Sequence, residues 1–288
     1  GTLGILIPPS ISLIVFGAMT DQSIGQLFLG GVIPGIILTA AYMLYIALRI
    51  RLSPTLVSGD VTARKQSWQA CFRSLAKTWP VVVLFVGVLG SIYSGIATPT
   101  ESAAIGCALT FAIAAVHRLL NRDVMARVLA GSVKTTAMVL CIYWAAKLMG
   151  IYLTYDQITA RLSAVVLDLG LSPFATLLAL VLFYLVLGML MDGLAAMVMT
   201  LPLTFPIVVS LGFDPIWYGV LLTMLIECGL LTPPVGMNLF ILQGLRPEYP
   251  FGVLVRGAFP FFVALLVVVA AVTAFPGLVT YLPHLFYH

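Results

Sequence analysis

The sequence predicts an all-α polytopic membrane protein with broken helices and a re-entrant helical hairpin, and three observations carry that reading. Apolar residues fill 61% of the 288 positions and charged residues only 8%, where soluble domains carry about 25% charged residues. Mean hydropathy is +1.14. A glycine followed by a double proline inside an apolar run occurs twice, as Gly4-Ile5-Leu6-Ile7-Pro8-Pro9 and as Gly229-Leu230-Leu231-Thr232-Pro233-Pro234. Finally, two short apolar segments, 174–191 and 194–210, are split by Asp192-Gly193, where a full crossing needs about 20 residues.

Each prolyl pair removes two backbone donors, and each ring clashes with the carbonyl one turn back, so a helix is interrupted there. In a bilayer, interrupted backbone survives only where protein buries it or a polar cavity hydrates it. Matching interruptions in two halves of a hydrophobic chain point to the midplane binding site of a secondary transporter.

In chain order, the first break continues into an apolar segment over 11–19, and a crossing follows over 27–48. The chain opens at Gly1, without an initiator Met and already inside the first motif, and so reads as a fragment whose N-terminal part is missing; no cleavable signal peptide is visible. Residues 64–79 set Arg64, Lys65, Arg73 and Lys77 among Trp68, Phe72, Leu75 and Trp79, the pattern of an amphipathic helix on the membrane surface. Spans over 79–97 and 100–116 are joined by Ala97-Thr98-Pro99-Thr100-Glu101-Ser102, which a turn and an N-cap with an acid in the first helical turn explain. The span over 135–154 carries Lys147, close enough to the outer end to snorkel. The hairpin over 174–191 and 194–210 follows, then a broken helix over about 216–231 and 237–245, and a closing span over 257–279.

A re-entrant hairpin sorts the basic residues. Arg49, Arg51, Arg64, Lys65, Arg73 and Lys77 share one loop, Arg118, Arg122, Arg127 and Lys134 a second, and Arg246 and Arg256 a third, together 12 of the 14 Lys and Arg residues. All three loops land on one face, which the positive-inside rule makes cytoplasmic. The opposite face carries Asp21, Glu101, Asp156, Asp168 and Asp214 against Arg161 alone. Reading 174–191 as a full crossing would strand Arg246 and Arg256 outside. The net charge of +4 therefore reflects topology and not a nucleic-acid patch. Cys71, Cys107, Cys141 and Cys228 lie far apart, and His117, His284 and His288 do not join them, so buried small thiols are expected instead of a metal or disulfide framework.

The stretch Thr232-Pro233-Pro234-Val235-Gly236-Met237-Asn238 lies between two half-helices. Its carbonyls, with the Thr232 hydroxyl and the Asn238 amide oxygen, suit a small hard cation, while the amide end of the second half-helix suits an anionic substrate group. A proline kink repaired by neighbouring helices would be the simpler account. The matched copy at Gly4–Ser10, with hydroxyls at Thr2, Ser10 and Ser12, favours function. Asp192, at the hairpin tip, is an intramembrane acid with an ion or substrate role, which capping of the next helix can accompany. Glu227, one turn before the second break, fits a cation ligand, a proton site or a partner for Lys147. Met189, Met191, Met197 and Met199 read as hairpin packing. The candidate ion-binding residues are Gly4, Pro8, Ser10, Asp192, Gly229, Thr232, Pro233, Gly236 and Asn238. The candidate substrate-binding residues are Thr2, Pro9, Ser12, Gly193, Pro234 and Val235.

Four stretches, in order, make the chain resemble a known family. They are Thr2-Leu3-Gly4-Ile5-Leu6-Ile7-Pro8-Pro9-Ser10, Thr98-Pro99-Thr100-Glu101-Ser102-Ala103-Ala104, Gly188-Met189-Leu190-Met191-Asp192-Gly193, and the run from Glu227 through Thr232-Pro233-Pro234 to Leu239. They resemble the large membrane subunit of TRAP (tripartite ATP-independent periplasmic) transporters. The resemblance implies an elevator-type transporter with inverted repeats in the bacterial inner membrane, a sodium-coupled symporter of small organic acids such as C4-dicarboxylates. It implies a small membrane subunit, sometimes fused to the large one, and a periplasmic substrate-binding protein as partners, with Na⁺ as coupling ion and no cofactor. By the same resemblance, residues 1–19 end the broken helix of the first repeat, 20–172 are connecting and scaffold helices, and 173–245 hold the second hairpin and its broken helix. Residues 246–288 are a cytoplasmic loop and the last transmembrane helix, and the first hairpin would precede Gly1.

The reading is therefore a permease that binds Na⁺ at the two breaks and an organic anion between them. One alternative is an ion-coupled exchanger that needs no binding protein. Another is a membrane-embedded enzyme acting on a lipid-linked substrate, for which no His, Ser or carboxylate constellation is present.

Overall fold

The structure is a computed structural model and describes residues 2–53, 78–168, 170, 172–234 and 236–287. Among these residues every regular element is an α-helix: α1 (Thr2–Leu6), α2 (Ile11–Thr20), α3 (Ile24–Leu52), α4 (Trp79–Tyr93), α5 (Pro99–Val116), α6 (Arg122–Tyr155), α7 (Ile158–Asp168), α8 (Pro173–Leu190), α9 (Gly193–Ser210), α10 (Pro215–Leu230), α11 (Met237–Leu245), α12 (Phe251–Ala274) and α13 (Gly277–Phe286). Among the described residues seven segments, counting α1 and α2 as one, are long and apolar enough to cross a membrane. The chain is a multi-pass membrane protein.

The chain divides into two compact units, Gly1–Tyr42 with Thr136–His288, and Met43–Thr135. In the smaller unit α4 packs on α5 through small residues. A side chain at Gly106 would meet Val88 Cγ2 at 2.8 Å, and the Ser91 hydroxyl donates to Ser102 Oγ at 2.8 Å. The start of α5 is a capping box: Thr98 Oγ1 accepts from Glu101 N at 3.3 Å, and the Glu101 carboxylate accepts from Thr98 N at 2.7 Å. The sequence reading of this turn as a cap holds.

The larger unit is organised around α10. Every residue from Ile216 to Leu230 is buried, because α1, α2, α8, α9, α11, α12 and α13 all pack on this helix. Asp214 caps it by accepting from Trp217 N at 2.8 Å, and the Trp217 indole N–H donates to Val272 O on α12 at 2.9 Å. Phe16 of α2 sits edge-on to Tyr218 and to Phe205 of α9, with ring centroids 6.1 and 5.8 Å apart. The two hairpin helices are joined by the buried Tyr184 hydroxyl, which shares hydrogen bonds of 2.7 Å with both Thr200 and Thr204.

Several expected boundaries shift. The crossing over 135–154 is the C-terminal part of the longer α6, which begins at Arg122, so three of the four basic residues assigned to a loop lie on helix. The span over 79–97 stops at Tyr93, and the closing span divides at Phe275 into α12 and α13. α7 and α13 had no counterpart in the apolar pattern. Among the described cysteines Cys107 and Cys141 are exposed and Cys228 is buried, because α5 and α6 turn most of their surface outward. The amphipathic segment expected over 64–79 lies outside the described residues up to 77, as do Cys71, Val235 and His288.

Candidate functional site: two broken helices and a hairpin tip

At the second break, backbone bonding in α10 tightens and stops. Leu231 N donates to Cys228 O at 3.3 Å and Thr232 N to Gly229 O at 3.0 Å, after which Pro233 and Pro234 offer no donor. Gly236 restarts the chain in the left-handed region (φ 51°) as the N-cap of α11. A side chain there would be strained and would meet Thr232 O at 3.1 Å. Thr232 Oγ1 donates to Cys228 O at 2.7 Å, which uses its proton and leaves its lone pairs as acceptors. Asn238 Nδ2 donates to Glu227 Oε1 at 3.0 Å, so the first turn of α11 is tied back to the last turns of α10. The possible pairing of Glu227 with Lys147 does not occur. The Lys147 ammonium instead lies over the Tyr143 ring, 5.6 Å from its centroid.

The first break repeats the plan. Ser10 is buried and caps α2, its oxygen accepting from Leu13 N at 3.5 Å while its hydroxyl donates to Ile5 O. The segment rests on glycines of α3: a side chain at Gly31 would meet Leu6 O at 2.7 Å, and one at Gly35 would meet Ile7 Cγ1 at 2.9 Å. In both copies the Pro–Pro bond is cis. Pro8 is buried; Gly4 and Pro9 are exposed and Ser12 is half-buried.

The hairpin tip lies against α10 immediately before the second break. Gly188 of α8 and Gly229 of α10 meet backbone to backbone, a Gly188 side chain coming 3.0 Å from Gly229 Cα. Gly193 is pressed on Ile226 and Leu230. Asp192, between them, accepts from Ala195 N through Oδ2 at 3.1 Å, so the capping role holds. Sequence reasoning passed over Gly188 as a contact residue. Its signal was a glycine four residues before the tip acid, the place where two helices meet closely.

A cavity of about 470 Å³ has Thr2, Leu3, Tyr42 and Leu231 in its wall, which brings α1 to the second break. The Tyr42 hydroxyl is buried beside the Thr2 side chain. A larger cavity, about 570 Å³, lies away from the breaks between α2, α6 and α9, with Thr20, Lys147, Tyr155 and Pro202 in its wall.

The second break thus presents oxygens from a hydroxyl, an amide and helix-end carbonyls, beside one buried carboxylate. That set fits a hard cation. Two helices broken alike and a hairpin tip seated on one of them are the arrangement from which secondary transporters build their binding sites.

The family profile described as "Tripartite ATP-independent periplasmic transporter, DctM component" matches residues 1–278, and the chain belongs to this family. It is 38% identical over 287 residues to the C4-dicarboxylate TRAP transporter large permease protein DctM of Pseudomonas aeruginosa, covering 99% of this chain and 65% of that protein. It is 32% identical over 287 residues to the sialic acid TRAP transporter large permease protein SiaM of Vibrio cholerae, again covering 99% and 65%. With the isethionate TRAP transporter permease protein DctMQ of Oleidesulfovibrio alaskensis it shares 32% over 255 residues, covering 85% and 38%. The chain therefore spans about two thirds of the length of the large permeases it matches. The family read from the four sequence stretches is the family found.

Proposed function

We propose that this chain forms the larger part of the large permease subunit of a sodium-coupled secondary transporter in the bacterial inner membrane. It imports small organic anions handed over by a periplasmic binding protein, and it works beside a small membrane subunit. The observation that carries the reading is the repeated proline break, with the hairpin tip seated on the second copy through Gly188, Gly193 and Gly229. A cation at the carbonyl end of α10 and the positive end of α11 together give an anion its counter-charge without a fixed Lys or Arg. The names of the relatives support the substrate class, since dicarboxylate, sialic acid and isethionate are all organic anions.

Transport by the parent protein, reconstituted with its small subunit in vesicles, tests this. An inward Na⁺ gradient should drive uptake of one of these anions only when the binding protein is present. Thr232→Ala and Asn238→Ala should each raise the Na⁺ concentration needed for half-maximal uptake. Equal uptake without the binding protein would favour an exchanger, and unchanged Na⁺ dependence in both variants would remove these side chains from the site.

A further inference from the structure

Glu227 is 2% exposed and stands in the last turns of a helix that protein surrounds on every side. Its Oε1 accepts from Asn238 Nδ2 at 3.0 Å. Its Oε2 is equally buried and has no hydrogen-bond partner among the described residues. Among the described residues no positive side chain pairs with it. Lys147 lies over Tyr143, and the ion pair found among these residues, Arg246–Glu248, is exposed. Among the described side chains its titratable neighbours are the adjacent Cys228 and, within electrostatic range from α3, Tyr42; neither side chain carries a positive charge. A carboxylate in this setting is strongly unfavourable unless a counter-charge reaches it.

The geometry of the break narrows what that counter-charge is. Residues 227 and 238 are three turns apart and would sit about 16 Å from each other on a continuous helix. The break folds them to hydrogen-bonding distance, so the carboxylate belongs to the interrupted segment. Asn238 commits its amide N–H to Oε1, which turns its Oδ1 away from that oxygen. Thr232 commits its proton to Cys228 O. Oε2, Oδ1 and Oγ1 therefore remain as acceptors, against the one remaining Asn238 amide hydrogen. An anion would be repelled here, and a water could donate to these oxygens but would leave the buried charge uncompensated, whereas a hard cation takes oxygens as ligands and supplies the counter-charge.

We propose that Glu227 is the anionic ligand of the cation at the second break, with Oε1 orienting Asn238 and Oε2 offered to the ion. This deepens the reading of the break as a cation site and rests on it. Glu227 then has a role beyond joining two half-helices: the buried charge and the bound ion compensate each other.

Thermal unfolding of the purified parent protein with its small subunit tests the proposal without transport. The midpoint is followed against NaCl, with choline chloride holding ionic strength constant. The wild type should be stabilised by Na⁺ with saturation. Glu227→Gln keeps an acceptor for Asn238 but no charge, and should need at least tenfold more Na⁺ for half the effect while being no less stable in Na⁺-free buffer. An unchanged Na⁺ midpoint in Glu227→Gln would overturn the proposal, since a purely structural acceptor would behave that way. If that variant does not fold, Glu227→Asp keeps the charge on a shorter arm. It should shift half-saturation several-fold, and no shift would be equally damaging. A wild type that responds alike to NaCl and choline chloride would defeat the cation reading of the break itself, not only the part assigned to Glu227.

Discussion

Replacing Gly229 by Ala should loosen the hairpin from the central helix, and the close approach of α8 to α10 sets the size of the effect. A methyl group at Gly229 meets Gly188 backbone atoms, and one at Gly188 meets Gly229 Cα at 3.0 Å and Ile226 O at 3.4 Å. Backbone cannot rotate away as a side chain end can, so the helices must separate, an overpacking cost of about 1–3 kcal/mol. Against this, Gly→Ala inside a helix gains about 1 kcal/mol. Gly131 isolates the second effect, since it lies in the exposed part of α6 and a methyl there meets nothing within 4 Å. Gly131→Ala should therefore be neutral or stabilising by up to about 1 kcal/mol, while Gly229→Ala should be net destabilising by up to about 2 kcal/mol. The assay is unfolding of the purified protein in detergent. The double variant Gly188→Ala/Gly229→Ala should cost less than the two single changes together, because the first methyl has already parted the helices. If Gly229→Ala proves as stable as Gly131→Ala, the close crossing is wrong.

Three further outcomes follow from the same geometry. Tyr184→Phe removes the hydroxyl shared by Thr200 and Thr204 and should cost about 1–3 kcal/mol in the same unfolding measurement; no loss would show that the buried triad does not hold the hairpin together. Asp192→Asn keeps an oxygen for Ala195 N and should fold like wild type yet weaken Na⁺-driven uptake, while Asp192→Leu should impair both; wild-type uptake in Asp192→Asn would leave that residue a cap alone. A single cysteine placed at Leu120 in a cysteine-free background should resist impermeant labelling in intact cells, and labelling there would invert the topology drawn from the basic loops.

The features written in local chemistry were legible in the sequence. The prolyl pairs fixed both breaks to within a residue, Asp192-Gly193 fixed the hairpin turn, and Thr98 to Glu101 showed its capping box, because each depends on neighbours a few positions apart. What depends on the course of the chain was hidden. The start of α6 carries Arg122, Arg127 and Lys134, good helix formers that hydropathy excludes from a span. The bond between Glu227 and Asn238 could not be read because spacing on an unbroken helix places the pair too far apart. Lys147 offered itself as the counter-charge for want of any view of depth or direction. The meeting of Gly188 with Gly229 joins residues 41 positions apart, which no local pattern reports.

Protein on every side of α10 has a consequence for how this stretch of sequence is free to vary. A helix of 16 residues is about 24 Å long, short of the ~30 Å hydrocarbon layer, and no face of it is left for lipid. Ordinary membrane helices accept exchange among Leu, Ile, Val and Phe along the stripe that meets acyl chains, so tolerance rises and falls with each turn. From Ile216 to Leu230 that rhythm has no physical source. Leu221, Leu222 and Leu225, which look interchangeable in a hydropathy profile, each fill a fixed place between helices. A stretch that looks like ordinary membrane helix is thereby among the parts least free to drift.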